Sequence, residues 1–108
     1  MTTIRIWKKD NNISAVEAYG HAGYAKFGKD IVCSAISILM TNTVNSIESL
    51  TDDKIVITAD DKTGLIRFVF EGTPSEASIL LVKSLLLGLK QIQAEYGNKF
   101  IDIIYEEV

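Results

Sequence analysis

Residues 54–97, KIVITADDKTGLIRFVFEGTPSEASILLVKSLLLGLKQIQAEYG, contain both kinds of element from which the fold is built. Residues 54–59 and 65–71 alternate apolar and polar side chains, as half-buried strands do. The segment between them, Asp60–Gly64, has the composition of a turn. This part of the chain therefore predicts a β-hairpin.

After the hairpin the apolar residues change to helical spacing. Thr73–Glu76 combines an N-cap residue, a proline at the first helical position and a glutamate placed for a capping box. Gly97 is placed to end the helix after Tyr96. The helix is so apolar that we expect it in the core, with an edge at a dimer contact. Its recurring apolar residues are Ile79, Val82, Leu85, Leu86 and Leu89.

The first half of the chain shows the same organisation. Residues 3–8 and 13–19 read as strands joined by a turn at residues 10–12, and a helix is predicted from Asp30 to about Ser49. A last strand covers residues 100–105. The expected buried stripe of the first helix is Val32, Ile36, Met40, Val44 and Ile47. Its opposite, small and polar stripe is Asp30, Cys33, Ser37, Thr41 and Asn45.

The predicted fold is α+β, with the order β-β-α-β-β-α-β. Two helices pack on one face of a five-stranded mixed sheet and form a two-layer sandwich. The length of 108 residues fits one domain spanning residues 1–108.

Composition excludes several classes of function. Eleven Lys+Arg against fourteen Asp+Glu give a net charge of −3, which argues against direct nucleic-acid binding. We expect no membrane segment and no signal peptide, because no apolar run approaches the roughly 18 residues of a span. A single cysteine argues against a disulfide framework or a multi-cysteine zinc site. We therefore expect a cytoplasmic protein without metal or cofactor.

The stretch that carries chemistry is residues 20–33, GHAGYAKFGKDIVC, which holds the only histidine and the only cysteine of the chain. His21 follows the second strand and Cys33 lies one turn into the first helix. The loop between them is longer than the usual strand-to-helix connection of roughly 2–6 residues. This pattern suggests a lid over a site, with Gly20, Gly23, Tyr24, Phe27 and Gly28 as its residues.

The helix start favours a reactive sulfur only weakly. The helix dipole is worth about 0.3–1 kcal/mol, so a thiolate at neutral pH needs an imidazolium partner, and His21 would have to approach Cys33. The other interpretation is a buried structural cysteine and a structural histidine. The residues alone leave the two about equally open. Backbone N–H groups of Val32 and Cys33 are candidate oxyanion donors.

Four further residues have two interpretations each. Asp30 is an N-cap, or it also orients His21 as the third member of a triad. Ser37 hydrogen-bonds near the sulfur, or it is a small helix-packing residue. The rings of Tyr24 and Phe27 cover a hydrophobic substrate, or Tyr24 and Phe27 anchor the loop to the core.

These residues resemble the ribosomal-processing cysteine protease family, called Prp. The resemblance lies in Gly20–Gly23, Gly28 and Asp30–Cys33, followed by Ala35 and Ser37, and the element order agrees along the chain. It implies Cys33 as nucleophile and His21 as base, with Asp30 and Ser37 as possible supports.

The resemblance also implies a substrate and an assembly. Prp enzymes remove the N-terminal extension of a large-subunit ribosomal protein, after an aromatic residue, and form homodimers with a flexible loop over the site. Two alternatives remain: a non-catalytic ribosome-associated binding module using the same cleft, and a thiol redox sensor.

Overall fold

The computed structural model describes residues 1–26 and 30–108 and confirms the predicted element order. The elements are β1 Thr2–Lys9, β2 Asn12–Tyr19, α1 Ile31–Leu50, β3 Ile55–Asp60, β4 Leu65–Phe70, α2 Glu76–Tyr96 and β5 Ile101–Glu107.

The five strands form one mixed sheet in the order β3-β4-β2-β1-β5. Three of the pairings are antiparallel, and β5 runs parallel to β1 at the sheet edge. Because β2 pairs with β4, the end of β2 lies beside the start of β4, with Ala18 opposite Ile66. This adjacency brings the turn before β4 close to the residues that follow β2.

The β1–β2 connection is a two-residue turn. Asp10 and Asn11 both have positive φ, at 52° and 66°, and Lys9 pairs with Asn12. Two consecutive residues with positive φ are the mark of a type I′ turn, whose twist matches that of the flanking strands. The turn sets the pairing of Lys9 with Asn12, and an irregularity between Trp7 and Lys8 shifts the register by one residue. Beyond it Ile6 and Ile4 pair with Val16 and Ala18, and all four side chains are buried.

The core lies between the sheet and the two helices. Phe68, Ile4 and Val16 from the central strands are completely buried. All five residues of the predicted α1 stripe are buried, as are four of the five predicted for α2; Ile79 is half-buried. Both helices are long and apolar enough, by length and composition, to cross a membrane. Each contributes one buried stripe to this core, as the core helices of a sandwich do.

The start of α2 differs from the prediction. The N-cap is Ser75, not Thr73, and Pro74 precedes the cap. The Ser75 hydroxyl accepts from the Ser78 N–H at 3.2 Å, and Asp53 accepts from the Ser75 N–H at 2.9 Å. Hydrogen bonds from the hydroxyls of Ser75 and Ser78 hold the pKa of Asp53 below its usual value. A tertiary partner, Asp53, therefore selects between two local cap candidates.

Candidate active site

Cys33 is positioned by the start of α1, where Asp30 is the N-cap as predicted. Asp30 Oδ1 accepts from the backbone N–H groups of Val32 and Cys33, each at 3.0 Å. The expectation that these two groups would bind an oxyanion is therefore wrong, because the capping carboxylate already occupies them.

The second oxygen of Asp30 binds the loop that precedes the helix. Oδ2 accepts from the N–H groups of Tyr24 at 2.9 Å and Ala25 at 3.5 Å. Burial acts to raise the pKa of Asp30, but the hydrogen bonds from Cys33, Tyr24 and Ala25 outweigh it and hold the pKa below its usual value. One buried carboxylate therefore caps α1 and ties the loop to it.

The Cys33 sulfur is half-buried and accepts the Ala22 N–H at 3.0 Å. Burial raises the pKa of the Cys33 thiol, and the negative charge of Asp30 raises it further, although the N–H groups of Ala22 and Gly23 oppose the increase. The helix dipole was expected to favour the thiolate. The net direction is the opposite, because burial and then the negative charge of Asp30 outweigh the N–H groups that favour the thiolate. Both of these effects favour the protonated thiol.

His21 lies two residues after the end of β2, and its side chain is exposed. Its Nε2 is 3.2 Å from the carbonyl oxygen of Lys62 in the β3–β4 turn. A carbonyl oxygen can only accept, so this contact assigns the proton of a neutral ring to Nε2. The lone pair that can take up a proton is then on Nδ1.

One cavity of about 650 Å³ brings the predicted residues together. Cys33, His21, Asp30 and Ser37 all line it. Its wall also includes two of the predicted loop glycines and several apolar side chains: Gly20, Gly23, Ala18, Ile36, Ile38 and Ile66. The sulfur and the imidazole therefore face a common space large enough for part of a peptide.

The predicted lid is described in part. Tyr24 packs edge-on against Tyr96 and Phe100, with ring centroids 5.5 and 5.1 Å apart. This geometry favours the anchoring role for Tyr24 over the role of a substrate cover. Phe27 and Gly28 lie outside the described residues.

The sequence did not identify Lys62 or Gly64 as parts of the site, and it gave Ala22 no role beyond its place in the motif Gly20–Gly23. Ala22 and Lys62 act through the backbone, so their side chains carry no signal. Gly64 was assigned to a turn, and only the strand order places that turn beside His21.

A half-buried thiol and an imidazole on the wall of one cavity are the arrangement found in cysteine proteases. The chain is indeed similar to known members of that class. The profile of the cysteine protease Prp family matches residues 1–101, and the chain belongs to this family.

Two curated relatives are ribosomal processing cysteine proteases Prp. The Staphylococcus aureus protein is 31% identical over 99 residues, which cover 91% of this chain and 93% of the relative. The Bacillus subtilis protein is 28% identical over 93 residues, covering 82% and 83%.

A crystal structure confirms the fold. The essential ribosomal processing protease Prp from S. aureus, in complex with a covalently linked product peptide, superimposes with a TM-score of 0.91. It is 31% identical and covers 98% of this chain and 100% of the other. Family membership favours the enzyme over the non-catalytic binding module.

Proposed function

We propose that this cysteine protease removes the N-terminal extension of a bacterial large-subunit ribosomal protein by acyl transfer, with Cys33 as nucleophile and His21 as base. The observation that carries the proposal is the shared cavity, whose wall holds both side chains. The named activity of the relatives and the product peptide bound covalently to the S. aureus protein support it.

The raised pKa of Cys33 sets the first step. Because the resting sulfur is a thiol, attack on the scissile carbonyl requires His21 Nδ1 to take the sulfur proton. The sulfur–carbon bond forms as the carbonyl becomes an oxyanion. When the oxyanion collapses, the carbon–nitrogen bond breaks and the imidazolium returns its proton to the leaving amine. Water then hydrolyses the thioester, again with His21 as base.

The oxyanion donors in this mechanism are the N–H groups of Ala22 and Gly23. The N–H of Ala22 donates to the sulfur at 3.0 Å, and the N–H of Gly23 also acts to lower the pKa of the thiol. A tetrahedral carbon bonded to Sγ places its oxygen within reach of the same groups. They replace the donors of Val32 and Cys33, which Asp30 occupies.

The substrate assignment rests on the family and on the cavity wall. The apolar side chains Ala18, Ile36, Ile38 and Ile66 suit a hydrophobic extension that ends in an aromatic residue. Processing of a ribosomal protein would take place in the cytoplasm, with no cofactor.

The test is incubation with a precursor ribosomal protein, read by intact mass. Cys33→Ala and His21→Ala should each abolish cleavage. Asn45→Ala, an exposed change on the same stripe of α1, is the matched control and should cleave normally. Cleavage that survives Cys33→Ala would refute the nucleophile. Binding of the precursor without cleavage by the unaltered chain would indicate a binding module instead.

We also propose that two copies of the chain pair through the outer face of α2. Leu80 and Leu87 are 68 and 71% exposed, which is unusual for large aliphatic side chains on helices. Light scattering should give twice the monomer mass. Leu87→Glu should give the monomer, whereas Thr58→Glu, on the opposite sheet face, should not. Monomeric mass of the unaltered chain would contradict this pairing.

A further inference from the structure

The turn between β3 and β4 makes two backbone contacts with the residues that follow β2. The Lys62 carbonyl oxygen lies 3.2 Å from His21 Nε2, and the Thr63 carbonyl accepts the Gly20 N–H at 3.0 Å. The turn therefore contacts both the imidazole and the backbone immediately before it.

We propose that the β3–β4 turn, residues 61–64, is the positioning element of the base, with the Lys62 carbonyl oxygen in the role that a carboxylate has in a Ser-His-Asp triad. This inference rests on the proposed function of His21. In such a triad the third group fixes the tautomer and the orientation of the imidazole. Asp30 does not supply that group through its described contacts, since both of its oxygens accept backbone N–H groups.

Gly64 permits the approach of the turn. Its φ is +67°, and a Cβ at this position would lie 2.6 Å from the Gly20 carbonyl oxygen and 3.3 Å from His21 Cε1. Backbone oxygen atoms cannot move away as a flexible side chain can. Any residue with a Cβ must therefore push the turn away from Gly20 and His21.

Asp60 stabilises the turn from its other end. Its Oδ1 accepts the Lys62 N–H at 3.0 Å, which is an Asx-turn contact. This side chain is exposed, and Asp60 is not among the residues that line the cavity. Its described contact with the Lys62 N–H links Asp60 to the base through the position of Lys62.

The contact determines which nitrogen of His21 can act. With Nε2–H donated to Lys62, the lone pair on Nδ1 receives the thiol proton. If the turn moves away, the ring loses the acceptor that favours Nε2–H, and any fraction with Nδ1–H cannot serve as base.

The experiment compares Gly64→Ala with Gly72→Ala. Gly72 has φ +99° at the other end of β4, and among the described residues no atom lies within 4 Å of the position that a Cβ would take there. Both substitutions therefore carry backbone strain, but only Gly64→Ala displaces the turn from His21. A displacement of about 1 Å can cost about 10²-fold in rate, so kcat should fall by that order in Gly64→Ala, with KM little changed. The kcat of Gly72→Ala should stay near that of the unaltered enzyme.

A spectroscopic readout separates positioning from stability. Because the chain has one histidine, its ¹⁵N imidazole signals belong to His21 alone. The unaltered chain should show the Nε2–H tautomer, and Gly64→Ala should shift toward a mixture while Gly72→Ala does not. Equal signals and equal kcat in the two variants would overturn the proposal.

If Gly64→Ala does not fold, two substitutions of Asp60 provide a second pair of variants for the same test. Asp60→Ala removes the acceptor for the Lys62 N–H, whereas Asp60→Asn keeps an equivalent oxygen. We expect Asp60→Ala to lower kcat and mix the tautomers, and Asp60→Asn to restore both; identical behaviour of the two would overturn the proposal. The ¹⁵N result needs no substrate, so it tests positioning even if the precursor is not cleaved.

Discussion

Asp30 connects the helix start, the loop and the sulfur, and replacing it by asparagine separates these effects. Asp30→Asn keeps an oxygen for the N–H groups of Val32 and Cys33, and asparagine is as good an N-cap as aspartate. The substitution turns Oδ2 into an amide nitrogen, which cannot accept from Tyr24. It also removes the negative charge near Cys33.

The magnitude follows from the contacts. One charge-assisted hydrogen bond to Tyr24 is worth about 1.5–3 kcal/mol, and solvent near the loop reduces this, so we expect a loss of about 1.5 kcal/mol. Asp30→Ala also loses the cap, worth about 1 kcal/mol, and should lose about 2.5 kcal/mol in all. Urea denaturation measures both values. Asp52→Asn, an exposed acidic residue, is the control and should change little.

The decisive assay is the rate of iodoacetamide alkylation against pH, which reads Cys33 alone because the chain has one cysteine. The charge of Asp30 raises the pKa of Cys33, so Asp30→Asn should lower it. Asp52→Asn should leave the profile unchanged. An unchanged or higher thiol pKa in Asp30→Asn would refute the conclusion that this carboxylate adds to the effect of burial on the thiol pKa.

Three further predictions concern stability. Tyr24→Ala should lose about 1–2 kcal/mol in urea denaturation because two ring contacts disappear, and Tyr24→Phe should retain them; equal stability of both variants would contradict the anchoring role. Phe68→Ala should lose about 3–5 kcal/mol, since Phe68 is fully buried, whereas the neighbouring and exposed Val69→Ala should lose far less. Because the pKa of Asp30 is lowered by folding, its contribution is present above its unfolded pKa of about 3.9 and disappears as the pH falls through the folded value. Urea midpoints between about pH 2 and pH 6 should therefore fall less steeply in Asp30→Asn than in the unaltered chain, and equal slopes would count against this linkage.

Local signals made the elements predictable. Alternation defines the two hairpins, and the Asp30 cap and Gly97 define helix ends that the structure confirms. The start of α2 was misplaced because Thr73 and Ser75 are both plausible caps, and the choice depends on Asp53, more than twenty residues away.

The chemistry of the site was predictable only in its residue types. His21 and Cys33 stand out as unique residues, but the position of Lys62 depends on the pairing of β2 with β4, which no local pattern contains. The direction of the thiol pKa depends on burial and on a carboxylate that opposes the helix dipole. The direction of this pKa shift therefore follows only from the three-dimensional positions of these groups.

The parallel pairing of β5 with β1 has a consequence for biosynthesis. Residues 101–107 are the last of the five strands to be made, yet they border the first, and the Thr2 N–H donates to Phe100 just before them. Phe100 also supports Tyr24. Until residues 100–107 have been synthesised, β1 and Tyr24 lack these partners. Proteolytic competence should therefore arise only after the ribosome has translated past β5.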